Sequence, residues 1–279
     1  MTPLRCGRFR LSLSRDDRPL IMGIVNLTPD SFSGDGTGDD AAAAIARAEM
    51  QRDAGADLLD LGAESTRPGA APVPAETELA RLLPVLRAVR DWGLPISVDT
   101  NKPAVMRAAL DAGADLINDI AALSAPGALD ALAASEAAVC LMHMQGEPRT
   151  MQTDPHYVDV VGEVADFLAG RVAACERAGI ARDRLLVDPG FGFGKTVEHN
   201  YALLRGLERL ERVGVPVLAG LSRKSMLGAV TGRENGAARL PASVVAAVLA
   251  VQRGARVLRV HDVAATRDAL AVWAATEGR

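Results

Sequence analysis

The chain has 279 residues and a formal net charge of -4, so it offers no broad basic field to draw in a nucleic-acid backbone, and any recognition of phosphate must be local. Hydrophobic residues make up 49% of it but aromatics only 3%, which predicts a core of Ala, Val, Leu and Ile such as helices packed on a parallel sheet provide. Cys6, Cys140 and Cys175 lack CxxC spacing, Met1 to Arg15 has no secretory apolar region, and no run reaches the ~20 apolar residues that span a bilayer; the expectation is a soluble, cytoplasmic protein without disulfides or structural zinc.

Phe9 to Leu13 alternates like a short exposed strand, part of an N-terminal β-hairpin closing a barrel floor. Leu20 to Asn26 is an apolar run ending in a polar residue, the pattern of a strand buried on both faces. Its loop, Leu27 to Gly36, is rich in Gly, Ser and Asp and long enough to act as a lid. Helix one is expected over Ala41 to Ala54, strand two over Asp57 to Gly62 and helix two over Ala75 to Asp91. Strand three covers Ile96 to Asp99, helix three Lys102 to Ala112, and strand four Gly113 to Asn118. A short helix near Gly127 to Ala133 leads to strand five, Ala138 to Met142, and helix five runs from Tyr157 to Ala178. Strand six, Leu185 to Asp188, opens into the glycine-rich loop Pro189 to Lys195. Helix six spans His199 to Leu210, strand seven Val215 to Gly220, helix seven Pro241 to Gln252, strand eight Val257 to His261, and helix eight Val263 to Ala275. "AGAD" at Ala54 and at Ala112 and "RGAR" at Arg253 mark equivalent helix-to-strand turns.

Eight alternating units with short connections predict one domain over residues 1–279, a (β/α)8 TIM barrel, because parallel strands need right-handed crossovers and a closed ring has no edge. Reactive groups in such barrels sit at the carboxyl ends of the strands, where Asn26, Asp99, Asn118, Asp188, Arg259 and His261 fall. Asp and Asn at such junctions also cap helices, but Arg259 and His261 lie in an apolar strand and have no capping role. The glycine loop is neither a P-loop, since Gly190 and Gly194 enclose three residues instead of four, nor a dinucleotide fingerprint, since Gly190, Gly192 and Gly194 simply alternate. No Ser-His-Asp set or H-E-x-x-H is legible, so hydrolysis is not indicated.

The mouth mixes acceptors (Asp99, Asn118, Asp188) with cations (Arg67, Lys224, Arg259, His261). A buried carboxylate pairs best with a planar donor fork, such as a guanidinium or a 2-amino-pyrimidinone edge with two parallel N–H groups, and a pterin has that edge. The cations and the Ser65 and Thr66 hydroxyls suit an anion at the rim, and Asn26 offers an oxygen of the type Mg²⁺ accepts beside phosphates. Arg67 and Arg223 also read as solvated arginines, and Lys195 as a surface lysine.

The segments "MGIVNLTPDSFSGDG" from Met22, "GAESTRPGA" from Gly62, "SVDT" from Ser97, "INDI" from Ile117, "LMHMQGEP" from Leu141, "DPGFGFGK" from Asp188, "GLSRKS" from Gly220 and "RVHDV" from Arg259 together resemble the dihydropteroate synthase family over nearly the whole chain. The resemblance implies joining of 6-hydroxymethyl-7,8-dihydropterin diphosphate to 4-aminobenzoate with release of diphosphate, in a homodimer that sulfonamides inhibit. It implies that Asp99, Asn118, Asp188 and Lys224 hold the pterin edge, that Met142 and Phe193 wall its pocket, and that Arg259 stacks on the ring. Thr66, Arg67, Arg259 and His261 would then bind diphosphate, Asn26 would ligate Mg²⁺, Pro68, Ser222, Lys224 and the lid from Thr28 to Ser33 would frame 4-aminobenzoate, and Gly220 would also line the substrate site. Asp30 would stabilise developing positive charge once the lid closes. The chain departs from the family's pattern at Ala121-Ala122, where a polar or basic residue is expected, and in a loose insert from Gly232 to Ala238. A corrinoid-linked methyltransferase barrel would not need the "STRPG", "SRKS" and "RVH" segments, and a non-catalytic pterin-binding paralogue would be expected to lose Lys224, His261 or the lid.

Overall fold

A computed structural model describes residues 3–28, 40–65 and 70–278. Two short strands, β1 (Leu4–Cys6) and β2 (Phe9–Leu11), pair antiparallel. The chain then enters β3 (Leu20–Asn26), α1 (Ala41–Asp53), β4 (Leu58–Gly62), α2 (Ala75–Val89), β5 (Ile96–Asp99), α3 (Pro103–Asp111), β6 (Leu116–Asp119), α4 (Ala128–Ala133) and β7 (Ala138–Met142). It continues through α5 (Val160–Arg177), β8 (Leu185–Asp188), α6 (Val197–Arg205), β9 (Val217–Ala219), α7 (Ser225–Thr231), α8 (Leu240–Gln252), β10 (Ala255–Val260) and α9 (Val263–Thr276). Strands β3 to β10 pair in parallel and in chain order, and β10 returns to β3, closing the barrel. No helix among the described residues is long and apolar enough to cross a membrane.

Alternation along the strands divides the interior into two cores, because successive side chains point to opposite faces. Ile21, Leu59, Leu61, Ile96, Val98, Ile117, Val139, Val187 and Leu258 face outward and pack with the helices. Met22, Leu58, Leu116, Cys140, Leu186, Leu218 and Val257 face inward and pack with Leu4, Cys6 and Leu13 of the N-terminal segment. The hairpin therefore plugs the barrel floor with apolar side chains. Leu13, expected on an exposed strand, is only 2% exposed. Above this floor the inward positions turn polar, with Asp60, Ser97 and Asn118 all buried.

The repeated "AGAD" turns have a shared physical purpose. Asp57 accepts the backbone N–H of Ile21 and Asp115 that of Ile96, so each aspartate satisfies a donor on the neighbouring strand. Each is neutralised by arginine, Asp57 by Arg18 and Arg267 and Asp115 by Arg8 of the hairpin.

Three expectations about elements need correction. Strand four starts later and ends later than its apolar run suggested, at Leu116–Asp119, because the turn continues through Asp115. Helix six begins at Val197, where Thr196 and His199 form a reciprocal cap, and gives way after Arg205 to a 3₁₀ turn over Leu207–Val213. The segment Gly232 to Ala238 is not a loose insert: it follows the unforeseen helix α7, and the Arg239 guanidinium ties the carbonyls of Arg233, Glu234 and Arg223 together.

Among the described glycines, the one with least room for a side chain lies after β8. Gly190 has φ of +68°, and a Cβ built on it would lie 1.9 Å from the His143 carbonyl oxygen. Positive φ and contact with a backbone atom both exclude a side chain. Gly190→Ala is expected to lower stability by about 2–3 kcal/mol, the combined scale of left-handed strain and loop displacement. A melting temperature equal to that of the unaltered protein would contradict this assignment.

Candidate active site

The polar mouth is built on one buried cation. Arg259, from the inward face of β10, donates from Nε to Asp60 at 2.6 Å and from Nη2 to Asp99 at 2.8 Å. Asp60 is fully buried and also accepts from the Ser97 hydroxyl and, at 3.3 Å, from the Asn118 amide. Four strands thus meet in one hydrogen-bonded layer. Burial works against the charge of Arg259, but Asp60 and Asp99 together raise its affinity for the proton further, so it stays a guanidinium. Burial pushes the Asp99 carboxyl up to about 7, with Arg259 opposing and Asp60 adding to the shift.

Asp188 ends β8 at the same mouth and is 6% exposed. Burial raises its pKa, opposed by the Gly190 N–H, which donates to Oδ1 at 2.7 Å, and by the charges of Lys224, Arg259 and Lys195. Gly220 lies close to it: a Cβ there would be 3.7 Å from Asp188 Oδ2 and 3.9 Å from the Arg259 Cβ. Met142 ends β7 opposite Asp188 in register. On the far rim the Lys224 ammonium sits 4.3 Å from the Phe193 ring centroid, a cation–π contact. Ser222 Oγ lies 3.0 Å from His261 Nδ1 and accepts from the His261 backbone N–H at 3.2 Å, joining the ends of β9 and β10.

The described residues therefore bring Asp99, Asn118, Met142, Asp188, Phe193, Gly220, Ser222, Lys224, Arg259 and His261 to the carboxyl ends of neighbouring strands. Asn26 ends β3, half-buried and in register with Gly62. Its amide oxygen suits Mg²⁺, which commonly takes most of its remaining ligands from substrate phosphate and water. No cluster of three or more His, Cys, Asp or Glu able to hold a metal occurs among the described residues. Thr28 is buried. Asp30, Thr66, Arg67, Pro68 and the lid residues beyond Thr28 lie outside the described residues.

Sequence reasoning missed several participants. Asp60 interrupts an apolar strand just as Arg259 does, and that same signal identifies it. Asp119, one place beyond the expected strand end, is fully buried and accepts from the N–H groups of Ala121 and Leu123; burial pushes it up to about 6 against those two bonds. Lys102 bridges Glu64 and Glu78 at 2.6 and 2.7 Å, and Glu64 also accepts the Val73 N–H, so this pair fixes the stem of the loop after β4. Two readings as solvated side chains fail. Arg223 is held by both oxygens of Asp262, at 3.0 and 2.7 Å, and Lys195 is 3% exposed with its ammonium bonded inside the glycine loop. The sequence shows a lysine after a glycine run and gives no sign that the loop folds back over it.

A closed (β/α)8 barrel whose mouth surrounds a guanidinium with buried carboxylates has the geometry of a small-molecule enzyme that grips a flat ligand by paired N–H donors. Residues 22–261 match the family described as pterin binding enzyme, and the chain belongs to that family. A dihydropteroate synthase from Neisseria meningitidis serogroup C is 53% identical over 275 residues, spanning 97% of this chain and 96% of the relative. Among solved structures, Burkholderia cenocepacia dihydropteroate synthase complexed with 7,8-dihydropteroate is 54% identical, with a TM-score of 0.90 over 99% of this chain and 97% of that one. The Xanthomonas albilineans dihydropteroate synthase with 4-aminobenzoic acid is 55% identical, with a TM-score of 0.92 over the full length of both chains.

The layer beneath the mouth is testable without substrate. Asp60→Ala leaves Arg259, Ser97 and Asn118 without their shared acceptor, and breaking a buried pair in this way costs about 3–5 kcal/mol. Urea unfolding is expected to show a loss on that scale, with Asp60→Asn in between. A loss below about 1 kcal/mol in Asp60→Ala would mean the layer does not hold the fold.

Proposed function

We propose that this chain is a dihydropteroate synthase, which condenses 6-hydroxymethyl-7,8-dihydropterin diphosphate with 4-aminobenzoate to give 7,8-dihydropteroate and diphosphate. The observation that carries the reading is the convergence of Asp99, Asn118 and Asp188 around Arg259 in a chain more than half identical to synthases of known structure. A methyltransferase barrel or a non-catalytic paralogue gains no support from relatives of that identity.

The residue roles follow from charge and shape. Asp188 and Asn118 accept and donate along the amino-pyrimidinone edge of the pterin, Met142 and Phe193 wall the ring, and Arg259, held flat by Asp60 and Asp99, lies against its face. His261 and Ser222 sit at the rim where the diphosphate leaves, and the family resemblance assigns Thr66 and Arg67, which lie outside the described residues, to the same anion. Lys224 and Ser222 border the 4-aminobenzoate side, to which the resemblance also assigns Pro68, and Gly220 lies against Asp188. Asn26 would hold Mg²⁺ together with diphosphate oxygens, an ion that would neutralise charge building on the leaving group.

Breaking the bond between the pterin methylene carbon and the diphosphate oxygen sends the electron pair to diphosphate and leaves the carbon electron-poor. Asp99, Asp188 and, from the lid, Asp30 stabilise that positive charge while the surrounding cations receive the departing anion. The aniline nitrogen is uncharged at neutral pH and attacks directly, forming the carbon–nitrogen bond and losing one proton. No protein nucleophile is needed, so positioning supplies much of the rate. A cytoplasmic location, supported by three buried thiols with no disulfide, and a homodimer as in the family complete the proposal.

Release of diphosphate that depends on added 4-aminobenzoate is the direct assay. Asp188→Ala, which removes a buried charge at ~3 kcal/mol, is expected to lower it by about 100-fold or more, and Lys224→Ala, which removes a half-buried cation, by at least about tenfold. Release without 4-aminobenzoate, or near-unchanged rates in both variants, would refute the reaction or these roles.

Binding of the pterin alone is expected to depend on pH. Burial holds the Asp99 carboxyl up at about 7, so the carboxylate that completes the Arg259 clamp accumulates as pH rises through that value. By calorimetry, the ratio of dihydropterin affinity at pH 8 to that at pH 6 should be larger in the unaltered protein than in Asp99→Asn, because Lys195, which burial also draws down to about 7, titrates alike in both. Superimposable pH profiles in the two proteins would count against Asp99 as the titrating group.

A further inference from the structure

Lys195 takes no part in the chemistry above, yet it is a cation sealed inside the protein at 3% exposure. Its ammonium nitrogen lies 3.0 Å from the carbonyl oxygens of Gly190 and Phe193 and 3.0 Å from His143 Nδ1, with the His143 carbonyl at 3.5 Å. An ammonium has three protons, and here three acceptors at hydrogen-bond distance receive them. Burial, with Lys195 adding to it, holds the His143 imidazole down to about 3, so the ring is neutral and its Nδ1 accepts. Burial draws Lys195 itself down to about 7, while Asp188 acts in the opposite sense. Burying a charge is costly unless it is fully bonded, and a neutral side chain would fill the space without that cost.

The bonded atoms explain what the charge secures. His143 follows β7, whereas Gly190 and Phe193 both belong to the loop after β8. The Gly190 N–H aims the Asp188 carboxylate, and the same residue's carbonyl is held by Lys195. Phe193, whose carbonyl is held as well, carries the ring under Lys224. Asn200 of α6 supports the loop from outside, accepting from the Gly192 N–H and donating to the Lys195 carbonyl.

We infer that Lys195 is a positioning residue of the pterin subsite: its ammonium ties the loop after β7 to the glycine loop after β8 and so presets Asp188 and Phe193 before the ligand arrives. It touches no substrate. The inference rests on the reading of this mouth as a pterin site and is independent of the condensation step.

The test compares the unaltered protein with Lys195→Met, Lys195→Gln and Lys195→Arg by calorimetric titration with 6-hydroxymethyl-7,8-dihydropterin and by steady-state kinetics. Lys195→Met is expected to weaken dihydropterin binding by about tenfold or more while the KM for 4-aminobenzoate moves less than about twofold. Lys195→Gln, which keeps two N–H donors and loses the charge, is expected to fall between Met and the unaltered protein. Lys195→Arg, which keeps charge and donors, is expected to bind within about threefold of the unaltered protein. Dihydropterin affinity unchanged in folded Lys195→Met and Lys195→Gln overturns the inference and leaves the functional reading standing. Failure of both to fold assigns Lys195 to the fold alone and overturns it too. Absence of dihydropterin binding by the unaltered protein overturns the functional reading and this inference together.

Discussion

A guanidinium held between two carboxylates inside a closed barrel is the constraint on which this structure depends. Arg259 reaches the layer shared by Asp60 and Asp99 from β10, and Ser97 and Asn118 complete it. Opposite charges at contact distance attract by roughly 4 kcal/mol at an effective dielectric near 20, enough to hold the clamp but not to repay the removal of a lone ion from water. The layer is therefore stable as a set. Its cost confines it to the one region where the barrel is already closed below by apolar side chains and open above to a ligand.

That division follows from the two-residue period of the strands. Outward positions on β3 to β10 are mostly apolar and meet the helices, with Asp119 and Arg256 as buried exceptions, whereas inward positions change from Leu and Met at the floor to Asp, Asn and Arg near the mouth. The hairpin seals one end, and its Arg8 satisfies Asp115 at a strand entrance. Loops at the other end are stiffened by cations withdrawn from solvent: half-buried Lys102 between Glu64 and Glu78, half-buried Arg223 against Asp262, and buried Lys195 within the glycine loop. Such fixed surroundings allow charged groups to stabilise a departing anion with little rearrangement at the moment of reaction.

Much of this was legible because parallel strands buried on both faces read as apolar runs, so a polar residue at their ends stands out. Asp99, Asn118, Asp188 and Arg259 were found that way, and all lie on one mouth. Asp60 lies inside its strand and not at its end, although a carboxylate inside an apolar strand carries the same signal as Arg259. Lys195 and Arg223 were read as exposed because a cation near a loop is usually solvated. Their burial depends on partners distant in sequence, His143 and Asp262 respectively, and no local pattern encodes that distance. Helix α7 is short, and its glycine-bounded segment carries too weak a period to separate from the turn that follows.

The most direct measurement is a crystal structure of the protein with a dihydropterin bound. The account predicts the ring inside the mouth, its amino-pyrimidinone edge against Asp188 and Asn118 and its face on an Arg259 still bonded to Asp60 and Asp99. A ligand seated elsewhere, or an Arg259 swung away from Asp60 when the site fills, would contradict it.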